Sequence, residues 1–197
     1  MGLTPVAADH VATVVTSLEM TQRPALRPLP ASPLRLVTWQ RPAPERYRAL
    51  FRRVGARWLW YSRLALDDAA LVRIVHHPRV SVFAVVDRAG IEVGMVELDV
   101  RTAGDCDIAY FGLVPELAGH GHGRWLMAET LARAWTAGVV RVRVNTCTLD
   151  HPSALGFYRA QGFAATARTL ETFPDPRALG LLPPDAAPQT PYLASRR

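Results

Sequence analysis

Leu113-Val114-Pro115-Glu116-Leu117-Ala118-Gly119-His120-Gly121-His122-Gly123-Arg124-Trp125-Leu126-Met127 packs three signals into one short span. The apolar run Ile108 to Val114 leads into it and ends at Pro115, which has no N–H to give to a sheet ladder and so marks the end of a strand. Glycines at every second position follow. Beyond them the spacing turns helical: Trp125, Ala128, Leu131, Ala132 and Trp135 share one stripe, and Glu129 and Arg133 form an i,i+4 pair in the favourable order. A strand, a glycine-rich turn and a helix in that order point free backbone N–H groups and the positive end of a helix dipole at an anion. Glycine suits the turn because a side chain there would hold the anion away from the amides.

The spacing excludes two familiar phosphate loops. A P-loop places Lys and then Ser/Thr after its last glycine, where this chain has Arg124-Trp125. A dinucleotide turn is spaced G-x-G-x-x-G, whereas Gly119, Gly121 and Gly123 are spaced G-x-G-x-G. A second block lies downstream, Asp150-His151-Pro152-Ser153-Ala154-Leu155-Gly156-Phe157-Tyr158-Arg159-Ala160-Gln161-Gly162-Phe163. There Pro152 suits a first helical turn, Asp150 or His151 can cap it, and Gly162 suits a left-handed stop. By itself this is an ordinary short helix with one tyrosine turned inward.

Together the two blocks resemble the GCN5-related N-acetyltransferase (GNAT) superfamily. Its Arg/Gln-x-x-Gly-x-Gly/Ala loop pattern falls on residues 118–123, with Ala118 standing where the family carries a polar side chain. Its Asn-x-x-Ala-x-x-x-Tyr-x-x-x-Gly-Phe pattern falls on residues 151–163 without a gap, with His151 in the Asn position. The implied fold is α/β: a mixed central sheet, helices on both faces, and two parallel strands that splay at the cofactor site. The resemblance is strong over Val80 to Phe163 and weak before it. It divides a single domain over residues 1–173 into an acceptor-side half, 1–79, and a cofactor half, 80–173, followed by a Pro/Ala-rich tail over 174–197.

What the resemblance implies chemically is acetyl transfer from acetyl-CoA to a primary amine by direct attack in a ternary complex. A non-catalytic acyl-CoA-binding or sensing domain is the alternative, kept open by Ala118 and His151. The amine must lose a proton, the acyl oxygen needs a hydrogen-bond donor, and the departing thiolate may take a proton. Counting along the family pattern assigns the donor to the backbone N–H of Phe111, pantetheine contact to Leu113, and the acid to Tyr158. The loop residues Gly119, His120, Gly121, His122, Gly123 and Arg124, with His151, are expected around the cofactor. His151 serves equally as a helix cap. For the base there are two candidates, Asp107, expected on one strand face with Ala109 and Phe111, and Glu97, opposite the apolar face of Val96 and Leu98. Either also reads as a solvated or paired group, and water can carry the proton instead. Glu19, Trp39, Trp58, Trp60 and Tyr61 are the candidates for the acceptor pocket.

Composition sets outer bounds. The 197 residues are 49% hydrophobic, enough for one full core. No apolar run reaches the roughly 20 residues needed to span a bilayer, and no secretory signal is evident, so a cytoplasmic protein without a membrane partner is expected. Cys106 and Cys147 are too few for a disulfide framework, and His120 and His122 lack a third ligand, so no metal site is expected. The net charge is +6, from 23 basic residues, all of them arginine, against 17 acidic ones. Without lysine there can be no lysine self-acetylation. The arginines between Arg41 and Arg63 read as a solvated face rather than a nucleic-acid site, since no binding motif accompanies them, and a positive field suits a polyanionic cofactor. A homodimer is left open.

Overall fold

The computed structural model describes residues 2–25 and 30–193. Its elements follow the order β1 (His10–Met20), β2 (Arg35–Trp39), α1 (Pro44–Gly55), α2 (Asp68–Val75), β3 (Val80–Val86), β4 (Glu92–Asp99), β5 (Asp105–Leu113), α3 (His122–Ala134), β6 (Arg141–Cys147), α4 (Ala154–Ala160) and β7 (Ala164–Pro174). The strand, glycine turn and helix read over residues 108–135 appear as β5, a loop and α3, and the short helix of the second block appears as α4. Of the proline-rich connection expected over residues 21–33, residues 26–29 lie outside the described residues.

The strands form one mixed sheet in the order β2-β3-β4-β5-β6-β1-β7. Neighbouring strands are antiparallel except β5 and β6, which run parallel over Asp105–Ile108 and Arg141–Val144. That pairing stops at Ile108/Val144, although β5 runs on to Leu113 and β6 to Cys147. The sheet therefore opens between them, while β6 stays paired with β1 on its other edge as far as Cys147.

Helices cover both faces. On one face α1 buries Tyr47, Leu50, Phe51 and Val54 against β3, β4 and Tyr110, each side chain contributing about 1.5–3 kcal/mol of transfer free energy. Asp67 caps α2, accepting the Ala70 N–H at 2.7 Å, as its position suggested. On the opposite face α3 and α4 close over Cys106, Ile108, Val142 and Val144. The buried side of α3 is Trp125, Leu126, Met127, Thr130, Leu131 and Ala134, broader than the stripe read from spacing; Ala132 is exposed, and the buried Thr130 hydroxyl returns to the Leu126 carbonyl at 2.7 Å. The helix also stops at Ala134, before Gly138.

The segment after β7 is packed rather than loose. Leu182, Ala186 and Ala187 join the core beside α1. Arg177, buried, is held by Asp175 at 2.7 Å and donates to the carbonyls of Ala186 and Thr190 at 3.1 and 2.9 Å. Residues 177–181, read as a short helix, form turns.

Candidate functional site

The two turns that matter most are built by glycine. Gly119 and Gly121 have φ of +79° and +81°, a region L side chains avoid, and a Cβ built on either meets no atom within 4 Å. Gly121 is the N-cap of α3 and supplies no side-chain acceptor, so the first amides of the helix face open space without a protein cap. This is the uncapped, roomy helix start that an anion requires.

From this loop a cavity of about 610 Å³ runs into the opening between β5 and β6. Val114 donates its N–H to Val93 of β4 at 2.9 Å. In an antiparallel ladder alternate residues share a direction, so Gly112 and Tyr110 also turn their amides to β4, while Leu113 and Phe111 turn theirs toward the opening left by β6. At the opening α4 presents Tyr158. It is buried, lines the cavity, and has no hydrogen-bond partner among the described residues for its hydroxyl. Burial, and secondarily the charge of Asp150, raise its pKa above the ordinary phenol value, so it keeps its proton.

Beyond Tyr158 the cavity is walled by Trp58, Trp60, Tyr61 and Tyr110. Phe51, Trp60 and Tyr110 form one aromatic cluster, with centroids 4.8–5.5 Å apart, and Tyr61 stacks on Phe173 at 4.5 Å. Their packing is local in origin: Leu59 takes φ +55° and Gly55 has no Cβ, so the chain folds back and Trp60 lies against Gly55 and Gly112. A Cβ on Gly112 would stand 2.8 Å from Val54 and 3.2 Å from Trp60.

The expected site residues separate into two groups. Phe111, Leu113, Gly119, Gly121, Gly123, Arg124, His151, Tyr158, Trp58, Trp60 and Tyr61 all line the cavity. His120, His122, Asp107, Glu97, Glu19 and Trp39 do not. His122 meets the Ser32 hydroxyl at 3.3 Å, and its neighbour His120 is exposed. No cluster that could hold a metal occurs among the described residues. Trp39 is buried beneath Arg46, 4.5 Å from its guanidinium, and Glu19 faces Arg141 at 3.4 Å. His151 accepts the Ser153 N–H at 3.2 Å, just ahead of α4, and packs on Trp58 at 5.6 Å.

Asp107 is displaced by a bulge. Glu97 pairs with Tyr110 and Leu98 with Ile108, so Ala109 is an extra residue in β5. One inserted residue reverses alternation, and Asp107 therefore shares a face with Tyr110 and Gly112, opposite Phe111. There it is held in a two-pronged pair with Arg143, at 2.7 and 2.8 Å. Glu97 is on the expected side but is wholly buried rather than solvated; it accepts from Tyr47 at 2.5 Å and from Arg63 at 2.6 Å. Of the first-half arginines, Arg63 reaches the buried Glu97, whereas Arg46 pairs with Glu92 and Arg48 with Asp68 at the surface, and Arg41, Arg52, Arg53 and Arg57 are exposed, a largely solvated set.

One residue the sequence presented only as a cap stands at the site. Asp150 lines the cavity, and its Oδ2 accepts from Thr146 Oγ1 at 2.7 Å and Cys147 N at 2.9 Å. Burial raises its pKa above the ordinary Asp value, against the lowering effect of these donors and of the Trp60 indole. Its position after a strand and before Pro152 imitates a cap, and only the opening of the sheet reveals the other role.

A model of the acetyltransferase (GNAT) family matches residues 35–163. The chain belongs to the GNAT family. No curated protein matches it. Among solved structures it resembles a tandem GNAT protein from the clavulanic acid biosynthesis pathway, at 19% identity and a TM-score of 0.58 over 82% of this chain and 53% of the other. It also resembles a GCN5-related N-acetyltransferase from Sphaerobacter thermophilus, at 18% and 0.56 over 82% and 51%. A third is AAC(6')-Iy, solved in complex with the bisubstrate analogue CoA-S-monomethyl-acetylneamine, at 19% and 0.53 over 70% and 95%. At these identities the likeness is one of fold. The chain spans 51–63% of the length of several such neighbours. Family and fold support acyl transfer in general, and no described helix is long and apolar enough to cross a membrane.

Proposed function

We propose that this GNAT protein is an acetyl-CoA-dependent N-acetyltransferase that acetylates a primary amine by direct attack within a ternary complex. One observation carries this: a single cavity joins the uncapped amides at Gly119–Gly123 to the unpartnered Tyr158 hydroxyl through the split between β5 and β6. The residues fit a CoA thioester. The loop amides and Arg124 hold the pyrophosphate, the free edge of β5 at Leu113 receives the pantetheine amides, and Phe157 and Ala154 wall the arm. Bound there, acetyl-CoA supplies the acyl thioester.

The chain's own groups then meet three needs. The outward N–H of Phe111 donates to the acyl oxygen as negative charge develops on it. Asp150, a carboxylate whose basicity is raised by burial, receives the proton that the attacking amine must shed, directly or through one water. Tyr158 keeps its proton at working pH and delivers it to the sulfur as the C–S bond breaks and the N–C bond forms. Asp107 and Glu97, tied to Arg143 and Arg63 away from the cavity, are assigned no proton transfer.

The test combines binding and turnover. Acetyl-CoA at about 100 times Kd stabilises a folded protein by ~2.7 kcal/mol, which at this size raises Tm by roughly 5–11 °C. Desulfo-CoA should do the same and ATP should not. Amine-dependent thiol release should then appear, and Tyr158→Phe should slow it by about 10- to 100-fold while leaving the CoA-induced shift intact. A shift with no thiol release for any amine would establish the alternative, an acyl-CoA-binding domain without turnover.

A further inference from the structure

The charges along the cavity are distributed unevenly. Its loop end carries Arg124, and its aromatic end carries Asp150 and Glu171. Elsewhere in the sheet no carboxylate is left without an arginine: Glu19, Glu92, Glu97, Asp99, Asp105 and Asp107 each meet one within 3.4 Å. Glu171 on β7 is the exception among the described strands, and Asp150 likewise has no cationic partner among the described residues. Both line the cavity.

Aromatic faces surround them. Tyr61, stacked on Phe173, is close enough to Glu171 that the carboxylate's charge, after burial, raises the Tyr61 pKa. Trp58 and Trp60 form the wall beside Asp150, whose hydrogen-bond donors, Thr146, the Cys147 N–H and the Trp60 indole, are all neutral and leave its charge uncompensated. Carboxylates with open valence among electron-rich rings attract organic cations and repel anions.

Resting on the N-acetyltransferase proposal, we infer that the aromatic end of the cavity selects an acceptor bearing a second cationic group beside the amine that is acetylated. Asp150 takes the reacting amine and Glu171 the distal cation. The substrate class is therefore a diamine or an amine-bearing base, and acceptors with a carboxylate in the distal position are rejected. Glu171 is exposed on its strand, so its attraction is partly screened and amounts to roughly 5- to 20-fold in affinity.

The experiment compares 1,4-diaminobutane, butylamine and 4-aminobutanoate, which share a chain length and differ in distal charge. Initial thiol-release rates and calorimetric binding to the CoA-saturated protein are both read. The expected order of kcat/KM and of affinity is diamine, then monoamine, then amino acid. The diamine's advantage should be about 5- to 20-fold at low salt, falling several-fold by 0.5 M NaCl. In Glu171→Gln the diamine-to-monoamine ratio should drop toward one. Equal rates and affinities for diamine and monoamine, or a ratio unchanged in Glu171→Gln, would overturn the inference while leaving N-acetylation standing. If no amine is turned over, binding still decides: diamine binding that weakens in Glu171→Gln supports the cation site, and no diamine binding overturns it. Loss of the CoA-induced thermal shift would instead refute the underlying proposal.

Discussion

Substituting Glu97 by Gln removes one formal charge from the core beneath α1, and the cost can be worked out from its neighbours. Both carboxylate oxygens are committed, Oε2 to the Tyr47 hydroxyl at 2.5 Å and Oε1 to Arg63 Nη2 at 2.6 Å. Glu97 is wholly buried, and the Arg63 side chain is 15% exposed, with an Nε that has no acceptor. Burial works to lower the Arg63 pKa, but Glu97 together with Tyr110 and Tyr47 outweighs it, so the guanidinium stays charged. A glutamine can offer its carbonyl to one donor only and presents N–H groups to the other. The variant thus loses a charge-assisted bond and leaves a nearly buried cation uncompensated, which costs about 3–5 kcal/mol. At roughly 2–4 °C per kcal/mol for a chain of this size, Tm should fall by about 6–20 °C. Urea unfolding and calorimetry of the wild type, Glu97→Gln, Arg63→Met and the pair Glu97→Met/Arg63→Met would measure it. The apolar pair should recover most of the loss, because no unpaired charge remains. A Glu97→Gln variant within ~1 kcal/mol of wild type, or a double variant no more stable than the sum of the singles, would refute the reasoning.

Three further outcomes are expected. Asp107→Asn breaks only a half-exposed pair with Arg143, so it should cost no more than about 1 kcal/mol and leave the rate within about twofold; a tenfold slower enzyme would restore Asp107 as a base. Gly121→Ala puts a Cβ at φ +81° in open space, so backbone strain of ~1–2 kcal/mol should lower stability, and acetyl-CoA affinity should fall at least tenfold by titration calorimetry. Asp150 has a folded pKa raised above its unfolded one, so its contribution to stability is fully present below about pH 3.8 and is lost as pH rises through the folded value. Asp150→Asn, neutral throughout, should therefore be more stable than wild type at pH 7 and no more stable near pH 3. In turnover the wild type should show an acid limb above the ordinary carboxylate range that the Asn variant lacks.

Local chemistry was readable in this chain. Hydrophobic period, caps and breakers specify elements within a few residues, because each rests on contacts a few positions apart: Asp67 before α2, Pro115 after β5, Gly162 after α4. The glycine loop was legible for the same reason, since left-handed turns at Gly119 and Gly121 are properties of those residues. So was Tyr158, through its place in a continuous motif.

Other features depend on which strands meet. That β1 lies between β6 and β7, more than 120 residues away, follows from burial across the whole sheet and not from its own partial alternation. The bulge at Ala109 leaves no mark in composition, yet it turns Asp107 away from Phe111 and hands it to Arg143. Glu97 reads as a solvent-facing strand residue until α1 and Arg63 close over it. Asp150 is indistinguishable from a helix cap until β5 and β6 part, and Glu171 is one polar residue on an edge strand until Tyr61 and Phe173 stack beside it. A side chain's ionic partner, its burial and its access to a cavity are set by segments distant in sequence, so only the assembled fold could assign them.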